Sequence, residues 1–327
     1  MLIVAILLFT GFFFISRIDA SKPGQSLIFL YVFYGVLCGT GVGIGYITAI
    51  SSVVPWFPGR AGLASGVLLM CFGLGGMALG SVVNNVISSA GLHQIFLILA
   101  IANAVVIAVG SNFVKLPPAV HPNASAVLTG RDFTTVQMIK DPTFIIYFIW
   151  SVAMGSAGLL IVNSAAVIAA AFGAPAVLGL IVSVFNGSSR LVFGQILDRY
   201  GRKTSMLISC SLLLTAGISL YFGAITHNAV LIIIGIMATG TCYGSGPTTS
   251  SVIMNKIYGP KHYAVNYSIT IFTLMPSAFI GPMISSALID MSDGAYNYSF
   301  IMIIILALLS FFLWAAMNKA AVKANHE

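Results

Sequence analysis

Apolar stretches of 18 or more residues recur along the whole chain, and this one feature restricts the folds open to it more than any other. Each stretch is long enough to cross about 30 Å of hydrocarbon as a helix. Inside a bilayer every backbone polar group must be satisfied within the protein, so spanning segments are helices or the strands of a closed barrel. A barrel would show short strands of alternating polarity, and these runs are long and unbroken. Charged residues make up only 6% of the 327 residues, against 59% hydrophobic. A water-facing surface needs roughly a quarter of its residues charged. The expectation is therefore an all-α, polytopic membrane helical bundle of about ten transmembrane helices rather than a soluble enzyme.

The spans are expected near 1–17, 26–55, 61–89, 93–114, 143–171, 176–197, 203–223, 229–257, 263–289 and 296–317. A polar segment, 115–142, carries Lys115, Pro117, Pro118, His121, Pro122, Arg131, Asp132, Lys140 and Asp141. It reads as a cytoplasmic linker between a four-helix bundle, 1–114, and a six-helix bundle, 143–327. The net charge of +7 does not point to nucleic acid, because the basic residues are few and sit between spans. With both termini in the cytoplasm, the inner segments hold Arg60, then Lys115, Arg131 and Lys140, then Arg199, Arg202 and Lys203, then Lys256 and Lys261, then Lys319 and Lys323. The outer loops hold only Arg17 and Lys22, and this asymmetry fixes the expected orientation. Residues 1–16 lack the basic start and the small-residue cleavage site of a signal peptide and read as a first span. Cys38, Cys71, Cys210 and Cys242 lie in different spans without metal spacing and read as small packing residues. The sequons at Asn123, Asn266 and Asn297 read as chance matches.

Three motifs carry chemistry. The first is Gly194-Gln-Ile-Leu-Asp198-Arg199-Tyr-Gly201-Arg202-Lys203. Gly201 can take positive φ in a tight turn, and Asp198 can pair with an arginine or cap a helix. The second is Gly39-Thr-Gly41-Val-Gly43-Ile-Gly45-Tyr46 with the turn Pro55-Trp56-Phe57-Pro58-Gly59-Arg60-Ala-Gly62-Leu-Ala-Ser-Gly66. It is no dinucleotide fingerprint, since G-x-G-x-x-G is absent and no strand precedes it; for the glycines singly, close helix packing is the reading. The third is Asn186-Gly-Ser-Ser-Arg190. Arg190 stands eight residues before Asp198, which puts it about 12 Å into the bilayer. An arginine there costs ~2.5–3.5 kcal/mol on insertion scales. No Asp, Glu or Lys lies mid-span anywhere in the chain, so the cation suits an anion brought from outside. The other reading is a structural arginine that snorkels or bonds backbone carbonyls. Asn266, Thr270, Thr273 and Ser277 line one helical face by their spacing. That face, together with Tyr243 in Thr241-Cys-Tyr243-Gly, reads as a pore wall or as interhelical hydrogen bonding.

The Gly194–Lys203 loop resembles the cytoplasmic signature loop of the major facilitator superfamily, whose members have two six-helix halves joined by a long central loop. The Gly39–Tyr46 run, the Trp56–Gly66 turn, Cys71-Phe72-Gly73-Leu-Gly75 and Asn186–Arg190 resemble the oxalate/formate antiporter family within it. The resemblance implies the major facilitator fold with its first two helices missing. It further implies a secondary transporter of small organic anions working by alternating access. Monocarboxylates such as pyruvate, lactate or formate come first and oxalate after them. A non-transporting membrane fragment, or a sensor or assembly subunit derived from a transporter, is the alternative. Arg190, Asn186, Tyr46, Tyr243, Asn266, Thr270 and Thr273 are the expected substrate contacts. Gly194, Asp198, Arg199, Gly201 and Arg202 form the expected gating loop. Two positions depart from the family. Gly59 replaces its usual acidic residue, and Leu274 falls where oxalate transporters carry a second basic residue. The expected partners are a small organic anion, the lipid bilayer and a coupling proton or counter-anion. No metal, cofactor or nucleic acid is expected. The expected state is a monomer in the cell membrane, plasma or inner, with both termini cytoplasmic. An intramembrane enzyme is not supported: no HExxH occurs, no Ser/His pair lies mid-span, and the histidines sit near ends or loops.

Overall fold

The structure is a computed structural model that describes residues 1–19, 21–57, 59–115, 132–175, 177–178, 181–292 and 294–323, with side chains described at all of these except 76–82, 84–90 and 322–323. The described residues are helical, with no strand among them. Among the described residues, seven helices are long and apolar enough to cross a membrane, and Leu2–Ile15 and Ala61–Gly75 are shorter apolar helices. Two of the expected boundaries are breaks inside longer helical stretches. Each falls on a glycine in the left-handed region: Gly91 (φ 75°) within α4, Ala61–Ser111, and Gly201 (φ 76°) within α7, Ile181–Ile225. A side chain is disfavoured at such φ, so glycine is the residue that lets one rod end and the next begin at once. The sixth expected span is described as helix from Ile181 onward, and residues 176, 179 and 180 lie outside the described residues. The sequon at Asn123, and Arg131, lie outside the described residues.

The chain divides into two compact units, Met1–Phe57 with Ala78–Val120, and Pro58–Met77 with His121–Glu327. In the first unit, α1 (Leu2–Ile15) packs against one continuous span, Pro23–Trp56. That span consists of α2 (Pro23–Phe29), a π-helical stretch Leu30–Cys38, α3 (Gly39–Val53) and a 3-10 turn Val54–Trp56. The glycine run settles as packing. A Cβ on Gly41 would lie 3.2 Å from Leu7 and Leu8, and one on Gly45 would lie 3.1 Å from Val4. Gly39 and Gly43 meet nothing, so only one face of the run is used. Phe14 stacks on Phe33 at 4.3 Å, and the ring of His93 hydrogen-bonds the Ser16 carbonyl at 2.8 Å. In the turn between α1 and α2, Ser21 donates from both its backbone N–H and its hydroxyl to Asp19, holding that carboxyl below the usual range.

The second unit holds α6 (Pro142–Ala171), both rods of α7, α8 (Ala229–Tyr258), α9 (Tyr263–Ile271) with α10 (Leu274–Asp290), and α11 (Asn297–Lys323). Tyr147, Trp150, Leu197, Met206, Leu213, Ile236 and Phe300 are fully buried among them. Lipid offers no hydrophobic drive between helices, so small residues and interhelical hydrogen bonds set the packing. Tyr147 bonds Ser250 at 2.7 Å, Ser209 bonds Ser245 at 2.8 Å, and Ser285 donates to Ser299 at 2.9 Å. Cys210 and Cys242 are buried and free, and the Trp150 indole donates to Cys210 Sγ at 3.4 Å.

Part of the segment read as linker is built onto this unit. The short helix α5, Thr135–Lys140, starts at a capping box between Thr134 and Gln137. Phe133 N–H donates to the Tyr258 carbonyl at 3.0 Å, and Lys261 N–H donates to Asp132 at 3.2 Å. Asp141 then caps α6 by accepting from Thr143 N–H at 3.0 Å, and it also accepts from the Tyr258 hydroxyl at 2.9 Å.

Candidate functional site

Arg190 lies on the first rod of α7 and is 5% exposed. Its Nη1 donates to the backbone carbonyl of Leu69 at 2.9 Å, and its Nη2 donates to Asn186 Oδ1 at 3.3 Å. The guanidinium carbon stands 5.9 Å from the centre of the Phe72 ring. Asn186 is one turn earlier on the same face, as the four-residue spacing requires, and is itself buried. The bond to Leu69 is the carbonyl contact that the sequence left open as the alternative for this arginine.

The guanidinium reaches Leu69 because the start of α4 and the first rod of α7 touch backbone to backbone. A Cβ on Gly62 would collide with the Gly194 carbonyl, and one on Gly194 with the Gly62 carbonyl. A Cβ on Gly66 would meet the Arg190 carbonyl, and one on Gly73 would come within 3.1 Å of Gly187 Cα. Gly73 also makes room for the guanidinium, since its Cβ would lie 3.3 Å from Arg190 Cζ. Close glycine contacts of this kind are how membrane helices approach.

The loop motif acts at the end of the same helix pair. Asp198 accepts from Gly62 N–H at 3.0 Å through one carboxylate oxygen and from Leu63 N–H at 2.8 Å through the other. It therefore caps the N-terminus of α4, where unpaired N–H groups and the helix dipole favour a negative charge. Lys256 approaches the same carboxylate at 3.8 Å. Gly194 is the close-contact residue just described, Gly201 breaks α7, Arg199 is exposed and Arg202 half-buried.

A second locus, with a mostly apolar lining, lies between α6, α8 and the α9–α10 junction. It is a cavity of about 30 Å³ lined by Trp150, Ser151, Tyr243, Ser245, Thr273 and Leu274, among others. That is room for about two water molecules. Tyr243 packs its ring against Gly158. Thr273 donates to the Thr270 carbonyl at 2.8 Å and bonds Ser151 at 3.3 Å.

Of the expected substrate contacts, Arg190 and Asn186 thus bond each other, and Tyr243 and Thr273 share the cavity with Leu274. Asn266 and Thr270 are fully buried outside that lining. Asn266 accepts from Thr135 Oγ1 at 2.9 Å and donates to the Phe133 carbonyl at 3.1 Å, so it fastens the approach to α6. Thr270 donates to the Asn266 carbonyl at 2.9 Å. Tyr46 is half-buried on α3, in the first unit. Sequence reasoning missed Leu69, Phe72 and Gly73 as the surroundings of Arg190, and Trp150, Ser151 and Ser245 in the cavity wall. The Gly62-x-x-x-Gly66 spacing was the available signal for the first group, because it marks a face that another helix touches closely.

A bundle of long apolar helices with a buried cation and a capped signature turn defines a polytopic α-helical membrane protein. A family model of the Major Facilitator Superfamily matches residues 1–282 and again 153–326, and the chain belongs to that superfamily. It is 27% identical over 262 residues to the oxalate:formate antiporter of Oxalobacter formigenes, covering 77% of this chain and 60% of that protein. It is 26% identical over 269 residues to the uncharacterized MFS-type transporter YhjX of Escherichia coli K12, covering 81% of this chain and 65% of the relative. The chain therefore spans less than two thirds of these relatives' own length. Among solved structures, a crystal structure of the E. coli fucose:proton symporter FucP matches with a TM-score of 0.67 at 12% identity, covering 97% of this chain and 83% of that one. The proton:xylose symporter XylE matches with a TM-score of 0.66 at 15% identity, covering 96% and 78%. These two likenesses establish the fold.

Proposed function

We propose that the chain is a secondary transporter of small organic anions, with monocarboxylates such as formate, pyruvate or lactate preferred, working by alternating access. The observation that carries the reading is Arg190, a buried guanidinium near mid-depth of a span in a sequence with no mid-span carboxylate. Ionisable groups at that depth mark substrate or ion pathways. Arginine's planar fork offers a carboxylate two parallel hydrogen bonds. The similarity to a relative named for oxalate and formate supports the same substrate class. The Asp198 cap on α4 supports a gating role for the loop, since it ties a helix that precedes the linker to one that follows it. A second reading is a membrane subunit that does not transport, in which Arg190 serves only to tie helices. The Leu69 hydrogen bond is the observation that favours it.

Carboxylates separate the two readings. A ligand that binds only the folded state stabilises it by RT ln(1 + [L]/Kd), about 2.7 kcal/mol at a hundredfold excess over Kd. Formate, pyruvate or lactate should raise the unfolding temperature of the purified protein, and formamide should not. If no carboxylate shifts it, the reading as an anion carrier fails.

The orientation belongs to the same proposal. Lys115, Arg131 and Lys140 place the 115–142 segment in the cytoplasm by the positive-inside rule. In a Cys71→Ala background, Ser125→Cys should react with an impermeant maleimide only after the cells are opened. Labelling of intact cells would reverse the topology.

A further inference from the structure

The short helix α5 runs across one end of the second unit. Its first residue, Thr135, donates to Asn266 Oδ1 at 2.9 Å, about one turn into α9. Its C-cap, Asp141, is also the N-cap of α6 and accepts from Thr143 N–H at 3.0 Å. Tyr258, the last residue of α8, donates to the same carboxylate at 2.9 Å, so the end of α8 stands at this level too. The spans that begin with α6 and α9 are packed neighbours, since Ser277 on α10 donates to the Val152 carbonyl on α6 at 3.1 Å. Packed helices stand about 8–10 Å apart, and six residues of helix are about 9 Å long. The helix α5 therefore bridges the starts of two adjacent spans, crosswise to them. The extended backbone of Asp141 (φ −73°, ψ 123°) makes the corner into α6.

Three sectors divide this helix. Met138 is fully buried against the protein, and Thr135 is half-buried. Gln137 and Lys140 are polar and exposed. Val136 and Ile139, three residues apart and so on one face, are 62% and 45% exposed. Short helices are marginal in water even when built from good formers, and β-branched side chains lower the propensity further. Two such residues turned outward on six residues of helix do not suit an aqueous surface. They do suit the surface beside them. Ile145 and Ile149 on the first two turns of α6 are exposed, as is Val265 on the first turn of α9. Both rods belong to spans long and apolar enough to cross a membrane, so their outward apolar side chains face lipid. No charged residue lies between Asp141 and Ile149 to separate that surface from α5.

We infer that α5 is an interfacial helix whose partner is phospholipid. Val136 and Ile139 enter the boundary between headgroups and acyl chains of the adjoining leaflet, while Lys140 lies level with the lipid phosphates. An apolar face opposite a basic, polar one is what such a position requires. By the orientation proposed above, the leaflet is the cytoplasmic one. The end of the 115–142 segment is then anchored to the membrane as well as to the bundle, and it sets the depth at which α6, α8 and α9 meet the cytoplasm. The inference does not depend on which solute the protein carries.

Nitroxide labels at Val136→Cys, Gln137→Cys and Ile139→Cys, one at a time in a Cys71→Ala background, test it. Cys38, Cys210 and Cys242 are buried. The full chain is placed in nanodiscs of phosphatidylcholine and phosphatidylglycerol, which leave both faces open, so the result does not depend on orientation. Collision with oxygen, which concentrates in lipid, is compared with collision with a water-soluble nickel chelate. Ile145→Cys supplies the lipid reference. The labels at 136 and 139 should read a depth of about 5–10 Å into the boundary, and the label at 137 should read as water. Nickel access at 136 and 139 equal to that at 137 overturns the inference, because the face then meets water. Low access of both oxygen and nickel also overturns it, because protein then covers the face. The two apolar sites are labelled separately, so a variant that fails to fold leaves the other to decide.

Discussion

Arg190→Gln is expected to abolish carboxylate uptake while leaving the protein in the membrane. Truncating one partner of a buried, hydrogen-bonded charge pair costs about 2–5 kcal/mol of binding, which is roughly thirtyfold or more in affinity. Glutamine can still donate to Leu69 or Asn186 but brings no charge to a site that holds no other mid-span cation in the sequence. Removing a charge from that depth eases insertion, so loss of uptake would not follow from failed insertion. Arg190→Lys should insert and fold yet lose most binding, because an ammonium presents a point charge in place of a fork. Leu274, which lines the cavity beside Thr273, should accept conservative apolar replacement. The measurements are anion binding by calorimetry and uptake normalised to protein in the membrane.

The second large effect is selectivity by charge. With Arg190 as the cation at that depth, a monoanion leaves the site neutral. A dianion leaves one charge uncompensated in a low dielectric, and burying an unpaired charge is costly. The position at which oxalate transporters of the family carry a second basic residue holds Leu274. That residue lines a cavity whose wall includes Trp150, Met154 and Ile271. Formate, lactate and pyruvate should therefore outcompete oxalate by tenfold or more, each ~1.4 kcal/mol of uncompensated charge being worth a factor of ten. Competition against labelled formate measures it. Equal or better competition by oxalate would mean that a second cation completes the site.

The fold was largely readable from sequence because the bilayer leaves few choices. Runs of apolar residues gave the helices, and Gly201 and the 89–93 interval gave two of the breaks, since only a glycine there permits so abrupt a turn. The loop motif was readable as a helix-end device, and Asp198 is one, although the Gly62 N–H it accepts from lies 136 residues earlier in the chain, a pairing that no local pattern records. The Asn266–Ser277 face shows the limit of periodicity. Spacing places all four residues on one side of a helix but does not say what lies opposite. Thr273 meets the cavity, whereas Asn266 meets Phe133 and Thr135. The segment from Asp132 to Asp141 read as linker by its polarity, yet its polar groups are what attach it to the turn after α8. Arg190 was readable as an anomaly of depth and charge. Its Leu69 partner was not, because a backbone carbonyl leaves no mark in a sequence.

Counterflow of labelled formate into proteoliposomes loaded with unlabelled formate tests the central claim most directly. The account predicts uptake by the native protein, stronger competition by lactate or pyruvate than by oxalate, and no uptake by Arg190→Gln incorporated to the same level. Native-like uptake by Arg190→Gln, or no uptake of any carboxylate by the native protein, would contradict it.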